Sequence, residues 1–278
     1  MTDFTNKNSK SVGEASAMDE FALPLPHKKR APIAARRNGI EQEGSTESFN
    51  HLLALLPRKD RVRVIALCHT VELTLGEVLA EPGTATSFVY FPINSFISLI
   101  AKTNGKLGLE VGMVGREGML GAQLTVGVNI SPLHGLVQGA GSALRIRAAA
   151  YKREIDDSSA VRRIMGRHFY VQDAQLAASA ACVRFHMVGP RLARWLLMSQ
   201  DRARADTFHV THEFLAYMLG VRRVGITTAA VAMQRGGLVS YHRGELTVLD
   251  RSGLERAACS CYRANRQLYD QLLPGMGF

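Results

Sequence analysis

The hydrophobic period of this chain changes twice, and that change limits the folds open to it. From Val71 to Arg147 short β-rich runs recur: VELTL, SFVYF, SFISLIA, LGLEVGMV, HGLVQ and ALRIR. Turn residues in EPG, TNG and VGREG separate them. Short strands at regular spacing predict a small sandwich or barrel. The TNGK stretch (103–106) predicts a hairpin turn, since Asn-Gly favours the primed turn types. Residues 158–187 then read as one long helical pattern, with Ile164, Phe169, Leu176, Val183 and their neighbours on the apolar side. Ser158 or Ser159 is the expected N-cap. The small residues of AQLAASAAC (174–182) let another helix approach closely, which suits a two-stranded dimer seam. The alternative is a helix packed on its own domain. Gly189-Pro190 is expected to break the helix at a hinge, and another helix to start over Arg191 to Met198. Trp195, the only tryptophan, reads as a packing residue.

Upstream of the strands, residues 1–46 lack periodicity and are rich in Ser, Asn, Glu, Lys and Arg, the composition of a disordered tail. Its basic segment HKKRAPIAARR (27–37) reads as solvated, with DNA phosphates as the alternative contact. A helical pattern begins over Ser48 to Leu56 and is broken by Pro57. A second amphipathic helix is expected through Cys68, with Val62, Ile65 and Ala66 on its apolar side.

Composition narrows the class. With 278 residues, 46% hydrophobic and 21% charged, the chain has material for one large or two modest globular domains. No run of about 18 apolar residues appears, so no membrane span is expected. The N-terminus lacks a secretory pattern, so a cytoplasmic location is expected. The net charge is +10, and residues 187–278 carry twelve Arg, no Lys and seven Asp/Glu. A basic C-terminal third is the electrostatic footprint of a polyanion binder.

That third contains THEFLAYMLGVRRVGITTAAVAMQRGGLVSYHRGELTVLD, residues 211–250. Thr211 is placed to cap the helix HEFLAYML. Gly220 permits the left-handed turn that ends it, and a second helix is expected from about Arg222 to Gln234. Leu215, Met218, Leu219, Val221, Ile226, Ala229, Ala230 and Met233 form one apolar set across both helices. Left on the outer face are Arg222, Arg223, Val224, Thr227 and Thr228, with no carboxylate. An ordinary surface helix would carry mixed charges there. Arg can reach guanine O6 and N7 with two bonds, and a Val or Thr methyl can pack on a thymine methyl. Beyond Gly236-Gly237 the sequence alternates like a hairpin with its tip near His242-Arg243-Gly244. A helix-turn-helix followed by a hairpin is a winged helix, and Arg243 would lie against phosphates.

Other chemistry is sparse. No nucleophile–base–orienter set and no paired acids appear, so no enzyme is expected. Glu110 and Glu117 read as structural, and Arg116 with Glu117 as a turn pair. The motif VGREG lacks the Lys and Ser/Thr of a P-loop. The four cysteines, Cys68, Cys182, Cys259 and Cys261, have neither a disulfide-framework nor a Cys-x-x-Cys spacing. Cys68 and Cys182 read as buried thiols in apolar helical contexts. Cys259-Ser-Cys261 is open to a metal or an oxidant but reads first as two thiols on a C-terminal helix. His209 and His212 read as helix-start chemistry. No metal and no cofactor are expected.

The order of β-rich unit, long helix and winged helix resembles the Crp/Fnr superfamily of bacterial transcription regulators. Matching segments are YFPINSFISLI (90–100), VGMVGREGMLG (111–121), THEFLAYMLGVRRVGITTAAVAMQRGGLV (211–239) and GLERAACSCY (253–262), the last typical of a subgroup with the VGREGMLG motif. The resemblance covers roughly residues 48–272. It implies an α+β chain with a cyclic-nucleotide-binding-type β-roll (double-stranded, jelly-roll-like) over 47–157. A dimerisation helix follows over 158–188 and a winged helix-turn-helix over 189–278. It implies a homodimer on palindromic DNA, with RNA polymerase as a further possible partner. By position, Arg223 matches the arginine that contacts guanine. Val224 stands where better-known members carry a glutamate that reads cytosine, and Thr228 where they often have a second arginine. Arg222 replaces a small capping residue and would serve a phosphate; His212 matches a phosphate-contacting position.

The sensor departs further. Nucleotide-binding members carry Gly-Glu, whose glutamate holds the ribose, and Arg-Ser-Ala, whose arginine holds the cyclic phosphate. Here those places align with Gly121-Ala122 and Leu133-His134-Gly135, so both contacts are missing. The remaining pocket candidates are Glu117, Gly118, Gly121, Ala122 and His134. The expected function is a regulator not gated by cyclic AMP. The alternatives are a ligand-binding module with a protein-interaction tail, or a nucleotide-gated regulator with an atypical pocket. The N-terminal cysteine cluster of oxygen-sensing relatives is absent.

Overall fold

The computed structural model describes residues 49–103 and 108–275. The N-terminal tail and most of the TNGK turn lie outside the described residues. The chain opens with two short helices, α1 (His51–Ala54) and α2 (Arg58–Ala66). The strands β1 (His69–Leu73), β2 (Val78–Ala80), β3 (Phe88–Pro92), β4 (Phe96–Lys102), β5 (Gly108–Val114), β6 (His134–Gly139) and β7 (Gly141–Arg147) follow. They form two antiparallel sheets, ordered β1-β7-β3 and β2-β6-β4-β5. Leu73, Tyr90, Ile97, Leu99, Val114, Leu120, Val137 and Ala143 form a buried cluster drawn from both sheets, as the alternation of the strands requires. The sequence expectation omits β2, whose three residues are too few to carry a period.

Helix α3 (Ala148–Asp157) also escapes the sequence pattern, lying between strand and long helix. The long helix α4 runs Ser159–Phe185, and Ser158 caps it by accepting from Val161 N at 3.3 Å. The break comes earlier than expected, at His186-Met187, and α5 spans Val188–Ala203. Gly189-Pro190 therefore lies inside the first turn of α5 rather than at the hinge. A proline is tolerated there because the first-turn N–H groups have no intrahelical partner. In α2 the apolar face is only partly where the sequence places it: Ile65 packs against the core and Val64 is buried, but Val62 is 61% exposed and Ala66 is exposed. Cys68 is half-buried just beyond that helix, and burial pushes its thiol up to about 12.

The C-terminal unit contains β8 (Thr207–His209), α6 (His212–Leu219), α7 (Arg223–Arg235), β9 (Val239–His242) and β10 (Glu245–Val248). Helices α8 (Arg251–Ala257) and α9 (Cys261–Leu272) complete it. The strands form one sheet ordered β8-β10-β9. The two units share a core. Ile100, Met113 and Leu136 of the sheets pack with Leu192, Trp195 and Leu196 of α5 and Leu215 and Met218 of α6. Trp195 is buried, edge-on to Phe214. Tyr269 and Leu273, at the far end of the chain, join the cluster that holds α1, α3 and α4.

Candidate nucleic-acid interface and sensor cavity

Helices α6 and α7 meet at 111°, inside the range of a DNA-binding helix-turn-helix. Thr211 Oγ1 accepts from Phe214 N at 3.1 Å, capping α6 as the sequence predicts. Gly220 ends it with φ 61° and ψ 42°. A side chain there would be strained, and its Cβ would meet Leu109 of β5 at 3.0 Å. The apolar set folds inward: Leu215, Met218, Leu219, Ile226, Ala229, Ala230 and Met233 are buried, with Val221 partly so.

Arg222, Arg223, Val224, Thr227 and Thr228 are all exposed. Val224 is 68% exposed, an unusual place for a β-branched aliphatic. Thr227 and Thr228 donate their hydroxyls to the carbonyls of Arg223 and Val224, at 3.2 and 3.0 Å. The helix from 222 to 235 carries no Asp or Glu.

His212 is placed differently from a free phosphate ligand. Its ring stacks on Tyr241, with centroids 4.6 Å apart, and its Nδ1 lies 3.0 Å from Thr227 Oγ1. Burial and the nearby Arg223 lower its pKa. The ring thus braces α7 from α6, a role that sequence spacing does not reveal. The wing turns at Arg243 (φ 49°) and Gly244 (φ 85°), the two positive φ values of a type I′ hairpin. Arg243 is exposed at the tip, as expected. Strand β8 adds a third member to the wing sheet.

The five pocket candidates do not converge. A cavity of about 90 Å³ lies between β2, β3 and the turn after Leu120. Gly121 lines it, together with Thr84, Thr86, Tyr90, Gln123 and Ser131, and no charged residue does. Ala122 is buried in the neighbouring core. His134 is buried with Nδ1 3.0 Å from Glu81 Oε2. Leu133 packs against the inter-sheet core.

Glu117 and Gly118 do not line that cavity. Arg116 and Glu117 stand at the centre of a turn closed by Gly118 N donating to Gly115 O at 3.0 Å, the turn pair that the sequence predicts. Arg116 meets the ring of His51. Glu117 Oε1 lies 2.7 and 2.9 Å from the guanidinium of Arg202 on α5, with both side chains only 3% exposed. It also accepts from Gly115 N at 3.1 Å. Gly118 packs on His168 of α4; a Cβ there would stand 2.5 Å from the ring. Met119 N donates to His168 Nε2 at 3.2 Å, and Asn50 Nδ2 donates to Gly118 O at 2.9 Å. The VGREGMLG motif is thus a junction where the sheets, α1, α4 and α5 meet. Glu110, as expected, is structural: it is buried and accepts from Ser98 Oγ at 2.6 Å.

The profile of the Crp-like helix-turn-helix domain matches residues 190–257. Residues 190–257 form a Crp-like helix-turn-helix domain. Solved structures of similar fold extend the likeness across most of the chain. One is a transcriptional regulator of the Crp/Fnr family from Eubacterium rectale, described as putative: TM-score 0.60, 17% identity, covering 74% of this chain and 96% of that one. A second is FixK2 from Bradyrhizobium japonicum: TM-score 0.60, 11% identity, covering 69% and 98%. A third is the c-di-GMP-responsive global regulator CLP from Xanthomonas campestris: TM-score 0.58, 16% identity, covering 70% and 100%. No curated protein matches the chain. The fold is that of the Crp/Fnr transcription regulators, with a sheet domain, a long helix and a helix-turn-helix. Among the described residues no single helix is long and apolar enough to cross a membrane.

One group was invisible in the linear spacing, from which no metal site is expected. Cys182 and His186, at the end of α4, meet Cys259 and Cys261, at the turn from α8 into α9. Their separation in sequence hides the set.

Proposed function

We propose that the protein is a homodimeric, sequence-specific DNA-binding transcription regulator of the cytoplasm whose β domain is not gated by cyclic AMP. The observation that carries this is the outer face of α7. It presents two arginines, an exposed valine and two threonine methyls, free of carboxylates, beside a wing tipped by Arg243. Arg223 is assigned to a guanine edge, and Val224 with Thr228 to thymine methyls. Arg222 and Arg243 are assigned to phosphates. His212 acts by holding Thr227 and the helix in register.

The open face of α4 supports a dimer. Val161, Met165, His168, Val171, Gln175, Ser179 and Cys182 are buried against the chain's own domains, and Ser179 Oγ donates to Val111 O at 2.7 Å. The other face presents Tyr170, Ala177, Ala181 and Arg184 to solvent. The first face is the helix packed on its own domain, and the second leaves room for the dimer seam. Ala177→Arg puts a long charged side chain into the small-residue seam. It is expected to convert the dimer to monomer in sedimentation experiments and to abolish binding to a two-half-site duplex. A dimer that survives removes the seam from this face.

Against cyclic AMP stand the size and lining of the cavity. Small-molecule sites span about 300–1,000 Å³, whereas this one is about 90 Å³ and offers no cation to a phosphate. The test is selection of bound duplexes from a random pool, with and without cyclic AMP. Enrichment without nucleotide of a palindrome with half-sites about 34 Å apart is expected. Arg223→Ala should weaken the selected site by about 1–3 kcal/mol and relax one base position. Enrichment only with nucleotide would overturn the gating statement. Equal loss on selected and random duplexes would assign Arg223 to phosphate.

A further inference from the structure

We propose that Cys182, His186, Cys259 and Cys261 form a tetrahedral metal site for a thiophilic divalent cation, zinc by preference. Cys182 and His186 are four residues apart at the C-terminal end of α4, so both side chains lie on one face of the helix. Cys259 and Cys261 flank the turn from α8 into α9. The four ligand atoms lie within 4.8 Å of one another. Cys182 Sγ and Cys259 Sγ are 3.6 Å apart, and so are Cys261 Sγ and His186 Nδ1.

These separations are those of a coordination tetrahedron. Zn–S bonds of about 2.3 Å and Zn–N bonds of about 2.0–2.1 Å place ligand atoms about 3.8 Å apart for S–S and about 3.6 Å for S–N. Closing the longer edges needs movements of about 1 Å. Three thiolates and one imidazole form a common structural zinc set, and soft sulfur disfavours magnesium and calcium. Cys182 and Cys259 are buried, while His186 and Cys261 remain half-open, which leaves an entry path.

A second observation points to the same place. Arg194 of α5 is 8% exposed, and its Nε has no hydrogen-bond partner. Its guanidinium interacts electrostatically with all three sulfurs. A zinc ion with three thiolates and a neutral imidazole carries a net charge of −1. The buried arginine, which the Glu110 carboxylate also influences, would offset that charge.

The site would bridge the α4–α5 break. Cys259 N donates to Pro190 O at 3.2 Å across the same junction. Neighbouring Arg191 reaches the carbonyl of Leu219, at the end of α6. Metal binding would therefore fix how the helix-turn-helix is carried by the long helix.

The test is metal analysis of the full-length protein, purified under reducing conditions and offered zinc. One equivalent of zinc per chain is expected to survive gel filtration, to shield three thiols from a thiol reagent and to raise Tm. Cobalt substitution should give tetrahedral ligand-field bands and a thiolate-to-cobalt charge-transfer band. Cys261→Ser should weaken that band, and His186→Ala should lower retention while the thiolate band persists. Should a variant fail to fold, the wild-type cobalt spectrum still decides. Zinc-independent thiol reactivity with no bound metal would overturn the proposal. So would a Cys182–Cys259 disulfide that forms under dissolved oxygen at the same rate with and without added zinc.

Discussion

Replacing Arg202 with methionine should cost about 3–5 kcal/mol of unfolding free energy, because it strands a buried carboxylate. Glu117 and Arg202 are each 3% exposed and form a charge-assisted pair at 2.7 Å. Arg202 also donates to Met198 O at 3.0 Å and reaches Met113 O at 3.4 Å, so its loss leaves acceptors unsatisfied as well. The pair joins the VGREG turn to α5, between the sheets and the helix-turn-helix. The penalty should therefore appear as loosening between the two units before global unfolding. Urea denaturation of Arg202→Met, Glu117→Gln and the double variant closes the cycle. The double variant should lose less than the sum of the singles, since neither charge is then stranded. A single-variant loss below about 1 kcal/mol would mean that water reaches the pair.

Acid should destabilise the protein through His168. The ring is buried under Gly118, and its Nε2 accepts from Met119 N. That acceptor role requires the neutral ring, with the proton on Nδ1. Burial pushes the pKa down from 6.5 to about 4. The folded state therefore binds fewer protons than the unfolded chain between about pH 6.5 and 4. Stability from this group is fully present above pH 6.5 and is lost as pH falls toward 4. The loss is about 3 kcal/mol in all, at a slope of about 1.4 kcal/mol per pH unit. His168→Gln retains a hydrogen-bond acceptor and removes the titration. Denaturant midpoints measured from pH 7 to 4 should fall steeply in the parent and shallowly in the variant. Identical slopes would assign the acid sensitivity elsewhere.

The winged helix was legible because its rules are local. A threonine cap, a left-handed glycine, seven inward apolar side chains and a basic outer face occupy adjacent residues. The wing tip at Arg243-Gly244 follows from strand alternation. Local rules failed where tertiary contact overrides period. Val62 looks inward by spacing yet faces solvent, while Val64 carries the burial of α2. Strand β2 is too short to signal itself. Pro190 reads as a break but sits where α5 can accept it. Of the five pocket candidates, only Gly121 lines the cavity. Glu117 found its partner 85 residues away, Gly118 a histidine on α4, and His134 a glutamate on the loop after β2. Long-range pairings of this kind leave no periodic trace. The Cys/His cluster is a further case, joining residues 77 apart.

Helix α9 gives the chain a mechanical property. It begins beside the wing domain but sends Tyr269 and Leu273 into the core of the other unit, and Arg167 of α4 reaches Leu272 O. The C-terminal end thus acts as a latch across the joint. Swinging the helix-turn-helix away would expose these side chains. At about 1.5–3 kcal/mol for each large apolar side chain, the open arrangement would be populated at below about one per cent. Any ligand that swings the helix-turn-helix away must supply that difference by binding the unlatched form more tightly. A joint latched in this way would behave as a detent rather than as a free pivot.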